Sequence, residues 1–330
     1  MFADTVLSAT SDFSPVVDAL RALEPRIRAS QRFVLGRDVV EAAYNVSQVM
    51  PSSVISALNL CRSPFRNTWI EYAGADKPGL ADPGTRVPAR VGLLIEATSD
   101  ACDQLLVFPL WQHVSASSIE VGTVAMVLDF SPDKSLSNVD LLADQKQGMS
   151  AASLVAEYNS RGDERSKRII SSKDEIEAQL ELDGRIYLVP SPAFAPIGDA
   201  LVRRGGPGVA KELLEAGEQD ARSELGLLVA TLLLLNSRNG VERSKAKLEK
   251  LNKRRKKRSQ LPLLDHWTLT MRLGKARRFD GSRRLSDRET RAHLVRGHFK
   301  VRASGVYWWS PHVRGNKALG FVSKDYAVKN

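Results

Sequence analysis

Arg90-Val-Gly-Leu-Leu-Ile-Glu-Ala97, Gln104-Leu-Leu-Val-Phe-Pro-Leu-Trp-Gln112 and Ile119-Glu-Val-Gly-Thr-Val-Ala-Met-Val-Leu-Asp-Phe130 follow one another with only short polar gaps. Val, Leu, Ile and aromatic side chains dominate all three, the composition of strands half or wholly buried on a pleated surface. Short gaps suit antiparallel neighbours, so this stretch predicts an antiparallel meander. Arg185-Ile-Tyr-Leu-Val189, closed by Pro190, predicts a fourth strand. Downstream, Leu227-Leu-Val-Ala-Thr-Leu-Leu-Leu-Leu235 is apolar around its whole circumference. A helix of that kind belongs in a core. Leu213, Leu214, Ala221 and Leu225 lead into it from Val209, and Asn239-Gly240 stops it. Sheet and buried helix together make the expected class α+β.

Upstream of the meander the pattern reads mostly as helix. Ser14-Pro15 opens one, with Pro at the first helical position and Asp18 in the first turn. Val16, Val17, Leu20, Leu23 and Ile27 recur at helical spacing, with Pro25 expected to kink or shorten the element. Val39, Val40, Ala43 and Val46, behind Asp38 as a cap, make a second stripe. Pro51-Ser-Ser53 starts a third, through Val54, Leu58 and Leu60. Phe65 to Tyr72 mixes both periods and supports no assignment. Gly74 to Pro88 reads as a turn-rich linker, and Ser131 to Gln147 as a polar connection.

The 330 residues suggest about two domains. With 43% hydrophobic content the chain is not disordered throughout, and two distant cysteines exclude a disulfide scaffold. The N-terminal residues lack the pattern of a secretory signal, and the longest apolar run, from Leu225 to Leu235, is shorter than the about 20 residues a bilayer span needs. A soluble protein of a reducing compartment, without a membrane partner, is the expectation.

The net charge of +10 conceals a division: residues 241–330 carry 25 Lys and Arg against 7 Asp and Glu, whereas residues 1–240 carry 23 against 31. This predicts an acidic α+β body over 1–242, a basic linker or helix end over 243–260 and a small basic β-rich module over 261–330. Lys253, Arg254, Arg255, Lys256, Lys257 and Arg258 repel one another and belong in solvent. Trp267–Leu273, His298–Arg302, Val306–Trp309 and Gly320–Val328 are the strands expected in the module. A segment this basic meets polyanions such as RNA or the ribosome. The competing reading is a tail that keeps the chain soluble or docks on its own acidic body.

No Walker-type loop is present: Arg204-Gly-Gly-Pro-Gly208 lacks the lysine and hydroxyl. There is no Gly-x-Ser-x-Gly elbow, and two isolated cysteines exclude a zinc ribbon. Neither a metal nor a cofactor is expected. Three of the five histidines, His293, His298 and His312, fall within twenty residues of one another, near Arg296, Arg302 and Arg314. Imidazole beside guanidinium can bind phosphate, hold a small module together, or act as acid and base on an RNA backbone. Trp308 and Trp309, with Tyr307 and Phe299, offer stacking platforms to a basic surface. In an alternating strand the two tryptophans face opposite sides, so one ring is expected buried and one exposed.

The tail Arg291-Ala-His293-Leu-Val-Arg296-Gly297-His298-Phe299, followed by Gly305-Val-Tyr-Trp308-Trp309-Ser-Pro311-His312-Val-Arg314-Gly315, resembles a signature of small phage and plasmid proteins. That group is related to the type V-A anti-CRISPR proteins that block production of the CRISPR nuclease. Arg66-Asn67-Thr68, with Tyr72 four residues on, is similar to a second family segment, and the apolar helix around Leu225–Leu235 has a counterpart there. The resemblance implies a mobile-element protein, in the cytoplasm of a bacterial host, that lowers expression of a host protein by recognising its nascent polypeptide, with loss of the message. It implies peptide recognition or structural support by Arg66, Asn67, Thr68 and Tyr72. Arg296, Gly297, His298, His312 and Arg314 would then contact phosphate, with Trp308 or Trp309 stacking on a base. A metal-independent RNA endonuclease using His298 with His293 or His312 stays open, as does a phage DNA-binding accessory protein.

Overall fold

A computed structural model describes residues 1–7, 14–49, 51–78, 87–113, 119–132, 185–272 and 291–322. The chain opens with α1 (Phe2–Leu7) and α2 (Ser14–Ala29), the latter continuing through Pro25 rather than ending there. A strand that the periodicity does not predict follows, β1 (Gln31–Leu35). α3 (Arg37–Val49) and α4 (Pro51–Ile55) then cross over to β2 (Asn67–Ala73), which lies parallel to β1. The Phe65–Tyr72 stretch of mixed period is therefore largely this strand.

β3 (Arg90–Ala97) and β4 (Gln104–Gln112) extend the sheet antiparallel to β2, as expected. Ile119–Phe130, predicted as one strand, is two: β5 (Ile119–Val121) pairs with the end of β4, and β6 (Val124–Asp129) with its beginning. Pro109 lies between the two pairings and has no N–H to offer a ladder. Its carbonyl instead accepts the Gly122 N–H at 2.9 Å, at the bend between the two strands. β7 (Ile186–Pro190) closes that side of the sheet. Much of the connection expected from Ser131 to Gln147, and residues 79–86 of the Gly74–Pro88 linker, lie outside the described residues.

α5 (Ala195–Gly205) and the 30-residue α6 (Pro207–Asn236) come next, then β8 (Val241–Lys245), α7 (Glu249–Lys257) and β9 (Trp267–Met271). β9 pairs with β8 and runs parallel to β1, giving the order β7-β6-β4-β3-β2-β1-β9-β8. The sheet is thus mixed, and it crosses the expected boundaries at residues 242 and 260. The expected basic module is not cut off from the body. The remaining strands are β10 (Arg291–Val295), β11 (His298–Arg302), β12 (Gly305–Trp309), β13 (His312–Arg314) and β14 (Asn316–Val322), in two small sheets. The α+β class holds.

Both faces of the large sheet are covered, which is why its strands read as continuous apolar runs rather than alternating ones. Odd-numbered Val91, Leu93, Ile95, Leu105 and Val107 face a core shared with α3, α4 and α6. Even-numbered Leu94, Leu106, Phe108 and Leu110 face α1, α2 and α5. The second half of α6, Leu225 to Leu235, is buried as its composition demands. Among the described residues no helix is long and apolar enough to cross a membrane.

Two buried carboxylates tie helices to opposite faces of β2. Glu71 accepts the Phe2 and Ala3 N–H groups at 2.9 and 3.1 Å and the Trp69 indole N–H at 2.9 Å, capping α1. Glu224 of α6 accepts the Tyr72 hydroxyl, the Lys77 ammonium at 2.6 Å and the Trp111 indole N–H at 3.3 Å. Burial, with the neighbouring Glu224 charge, pushes the Tyr72 phenol well above its ordinary range. Glu71 is satisfied by hydrogen bonds from neutral donors, and Glu224 by hydrogen bonds and the Lys77 ion pair, which is how such buried groups are tolerated.

Candidate nucleic-acid interface

β11 and β12 form a hairpin across the two-residue connection Ala303-Ser304, with Arg302 opposite Gly305. Gly305 has φ +121°, a backbone conformation that side chains rarely adopt. His298 lies opposite Trp309, Phe299 opposite Trp308, Lys300 opposite Tyr307 and Val301 opposite Val306. Directly opposed residues share a face and faces alternate along a strand. The hairpin is therefore two-sided, with Phe299, Val306 and Trp308 toward the body and His298, Lys300, Arg302, Tyr307 and Trp309 outward.

The inner side is fused to the body. Phe299, Val306 and Trp308 belong to the same core as α3 and α6. The Phe299 N–H donates to Ser53 Oγ at 3.2 Å, from α4. On the other edge Asn239 acts like a strand: its Oδ1 accepts the Trp308 N–H at 2.9 Å and its Nδ2 donates to the Trp308 carbonyl at 2.8 Å. The Arg238 N–H adds a bond to the Val306 carbonyl at 3.2 Å. The sequence marks Asn239 as a helix stop; its second task, clamping a hairpin about 70 residues away, has no local signature.

Of the two tryptophans, one is buried and one exposed, as the alternation predicts. Trp308 is 3% exposed and Trp309 39%. Trp308 is thus removed from the residues expected to stack on a base. Gly297 has a packing role as well, because a Cβ there would lie 2.7 Å from the Trp308 ring and 3.0 Å from Pro311 Cδ. Its lack of a side chain serves close packing of that indole.

Outward, cations and rings interleave. The Lys300 ammonium sits 4.6 Å from the Trp309 ring centroid, the Arg302 guanidinium 5.7 Å from that of Tyr307, and the His298 ring 5.6 Å from Trp309. The Tyr307 hydroxyl is 3.0 Å from Ser304 Oγ. That hydrogen bond, helped by Arg238 and Arg302, holds the phenol below its ordinary range. Lys300 and Arg302 are exposed and have no carboxylate partner among the described residues.

β10, β13 and β14 form the second small sheet, in order β13-β10-β14. His293 lies opposite Arg314, and Val295 opposite His312, so His293, His312 and Arg314 share one face. Leu294 and Val313, opposite one another on the other face, are 57% and 44% exposed. In all three histidines Nδ1 contacts the carbonyl two residues earlier: His293 that of Arg291 at 3.3 Å, His298 that of Arg296 at 3.0 Å, and His312 that of Ser310 at 3.0 Å. A carbonyl only accepts, so Nδ1 carries the proton in that contact and Nε2 is left for a ligand. His298 lies in a different sheet from His293 and His312, and no hydrogen bond joins the three among the described residues. Arg296 is exposed.

α7 buries none of its residues. Lys253, Arg254, Lys256 and Lys257 on it, and Arg258 after it, are exposed and have no carboxylate partner among the described residues. Arg255 is half-buried, its Nε donating to the Leu261 carbonyl at 2.7 Å. Among the described residues, ion pairs within 241–330 are local: Lys245 with Asp265 at 3.4 Å and Arg272 with Glu242 at 3.7 Å. Among the described residues, none of these α7 cations pairs with a carboxylate of residues 1–240.

Arg66, Asn67, Thr68 and Tyr72 do not converge on a surface. Tyr72 is buried on Glu224, and the buried Thr68 hydroxyl is 2.9 Å from Ser63 Oγ and 3.2 Å from the Phe65 carbonyl it donates to. These two are structural. Asn67 begins β2 opposite Glu96, and Arg66 is exposed, 3.5 Å from Asp100. No family model, curated protein or solved structure matches the chain.

Proposed function

We propose that the chain is a non-catalytic inhibitor from a mobile element that holds an mRNA or ribosomal RNA while it lowers production of a host protein. The observation that carries the RNA half is the outer face of the β11–β12 hairpin, where His298 and Lys300 stand opposite Trp309 and Tyr307 and Arg302, opposite Gly305, shares their face. The exposed cations of α7 add a second grip. Unpaired surface cations give affinity by releasing counterions from phosphates, and a surface rich in them tolerates many sequences. The target half, recognition of a nascent polypeptide in the bacterial cytoplasm, is supported by the motif resemblance. The acidic balance of residues 1–240 suits a basic peptide.

Co-sedimentation with ribosomes, at low and at high salt, tests this reading. The expected result is association at low salt that fades as salt rises. Absent or salt-indifferent association contradicts it. The endonuclease reading is separated by His298→Ala: message loss abolished with RNA binding retained favours cleavage, whereas parallel loss of both favours binding. Tighter binding to duplex DNA than to RNA at matched salt favours the accessory-protein reading.

A further inference from the structure

We infer that the hairpin's outer face is a platform for an unpaired polynucleotide segment, with one base on Trp309 and one on Tyr307. The inference rests on the RNA reading and specifies which form of RNA the face selects. Trp309 and Tyr307 are two residues apart on one strand, so they share a face at a separation of about 6.6 Å along it. That exceeds the spacing of stacked bases, so the two rings suit bases splayed apart on an extended strand. A duplex cannot satisfy them: its bases are paired inward, and its grooves present edges and backbone rather than ring faces. Single strands expose those faces, and aromatic side chains take them with little regard for sequence.

The cations stand where the accompanying phosphates need them. Across the hairpin from the two rings lie His298 and Lys300, with Arg302, opposite Gly305, at the next outward position of β11. Arg238, whose charge acts on the Tyr307 phenol, flanks the platform from the end of α6. Geometry also keeps the platform rigid. The inner side of the same hairpin is locked to the body through Phe299, Trp308, Ser53 and Asn239, so little ordering remains for a ligand to impose. By contrast, α7 offers charge without rings and treats single and double strands alike.

The test uses the full chain and measures fluorescence anisotropy of a labelled mixed-sequence 12-nucleotide RNA, the same strand annealed to its complement, and the deoxy strand of that sequence. The wild-type chain is expected to bind the single RNA strand at least tenfold more tightly than the duplex. Trp309→Ala, and separately Tyr307→Ala, should weaken the single strand about tenfold while moving the duplex less than twofold. Trp309→Phe, which keeps an aromatic face, should restore most of the loss, and unchanged thermal unfolding of each variant excludes a folding defect. Charge reversal on α7 should weaken both forms alike. Equal affinity for the two forms, or single-strand binding unaffected by both alanine variants, overturns the platform while salt-dependent RNA binding leaves the proposed function standing. Failure to bind either RNA form contradicts the proposed function itself. Binding of the deoxy strand alone, with the same Trp309 dependence, contradicts the RNA assignment and supports the platform.

Discussion

Replacing Gly297 by Ala forces the Trp308 indole or Pro311 to move, because the new methyl lies inside contact distance of both. Overpacking of this kind costs about 1–3 kcal/mol. Gly297→Ala should therefore lower the denaturation midpoint, and a midpoint equal to wild type removes the packing role assigned to that glycine. Glu224 offers a sharper case. Glu224→Gln strands the Lys77 ammonium in the core and should destabilise the fold by about 3–5 kcal/mol in chemical denaturation. Adding Lys77→Met, which removes the orphaned charge, should recover a large part of that loss. The same site sets a pH dependence. In the folded chain Tyr72 stays neutral far above its ordinary range, mainly through burial. In the unfolded chain it ionises near pH ~10. A group whose folded value is raised contributes stability that is complete below the unfolded value and declines as pH rises above it. Stability should thus fall above about pH 10, with a shallower fall in Tyr72→Phe; identical alkaline profiles refute the assignment.

Among the elements, α7 and the β11–β12 hairpin divide the work between charge and shape. Reversing Lys253, Arg254, Lys256 and Lys257 to Glu should leave unfolding unchanged, since α7 buries nothing. It should weaken RNA binding and flatten its salt dependence by about 0.7 for each phosphate that is no longer neutralised. An unchanged slope separates α7 from the interface. Asn239→Ala should loosen the hairpin without touching a ligand, seen as faster amide exchange at Trp308. The central strands β3 and β4 were legible because burial on both faces leaves an unbroken apolar run. β1 and β2 were not, since Gln31-Arg-Phe-Val-Leu35 is short and Asn67-Thr-Trp-Ile-Glu-Tyr-Ala73 hides a helix-capping carboxylate and a core tyrosine inside the strand. Pro109 broke a strand that composition alone makes continuous. The outward face of the hairpin followed from simple alternation. Ser53 and Asn239 did not, because their hydrogen bonds depend on long-range topology.

Over the whole molecule, the division of charge along the chain does not follow a division of structure. β9, from the basic segment, is hydrogen-bonded beside β1, from the first helical region, and Trp308 shares a core with α6. Sequence composition tells where charge lies along the chain and says nothing of which strands pair, so boundaries at 242 and 260 fall across a continuous sheet. What survives is a set of exposed cations, on α7 and on the hairpin, that have no carboxylate partner among the described residues. The most direct measurement of that property is the affinity of the full chain for a single-stranded RNA across a range of salt concentrations. A linear fall in log affinity with log salt, of slope steeper than about −2 and reduced by reversal of the α7 cations, is the predicted result. Affinity that stays flat with salt, or no binding at the lowest salt, contradicts an interface built on these residues.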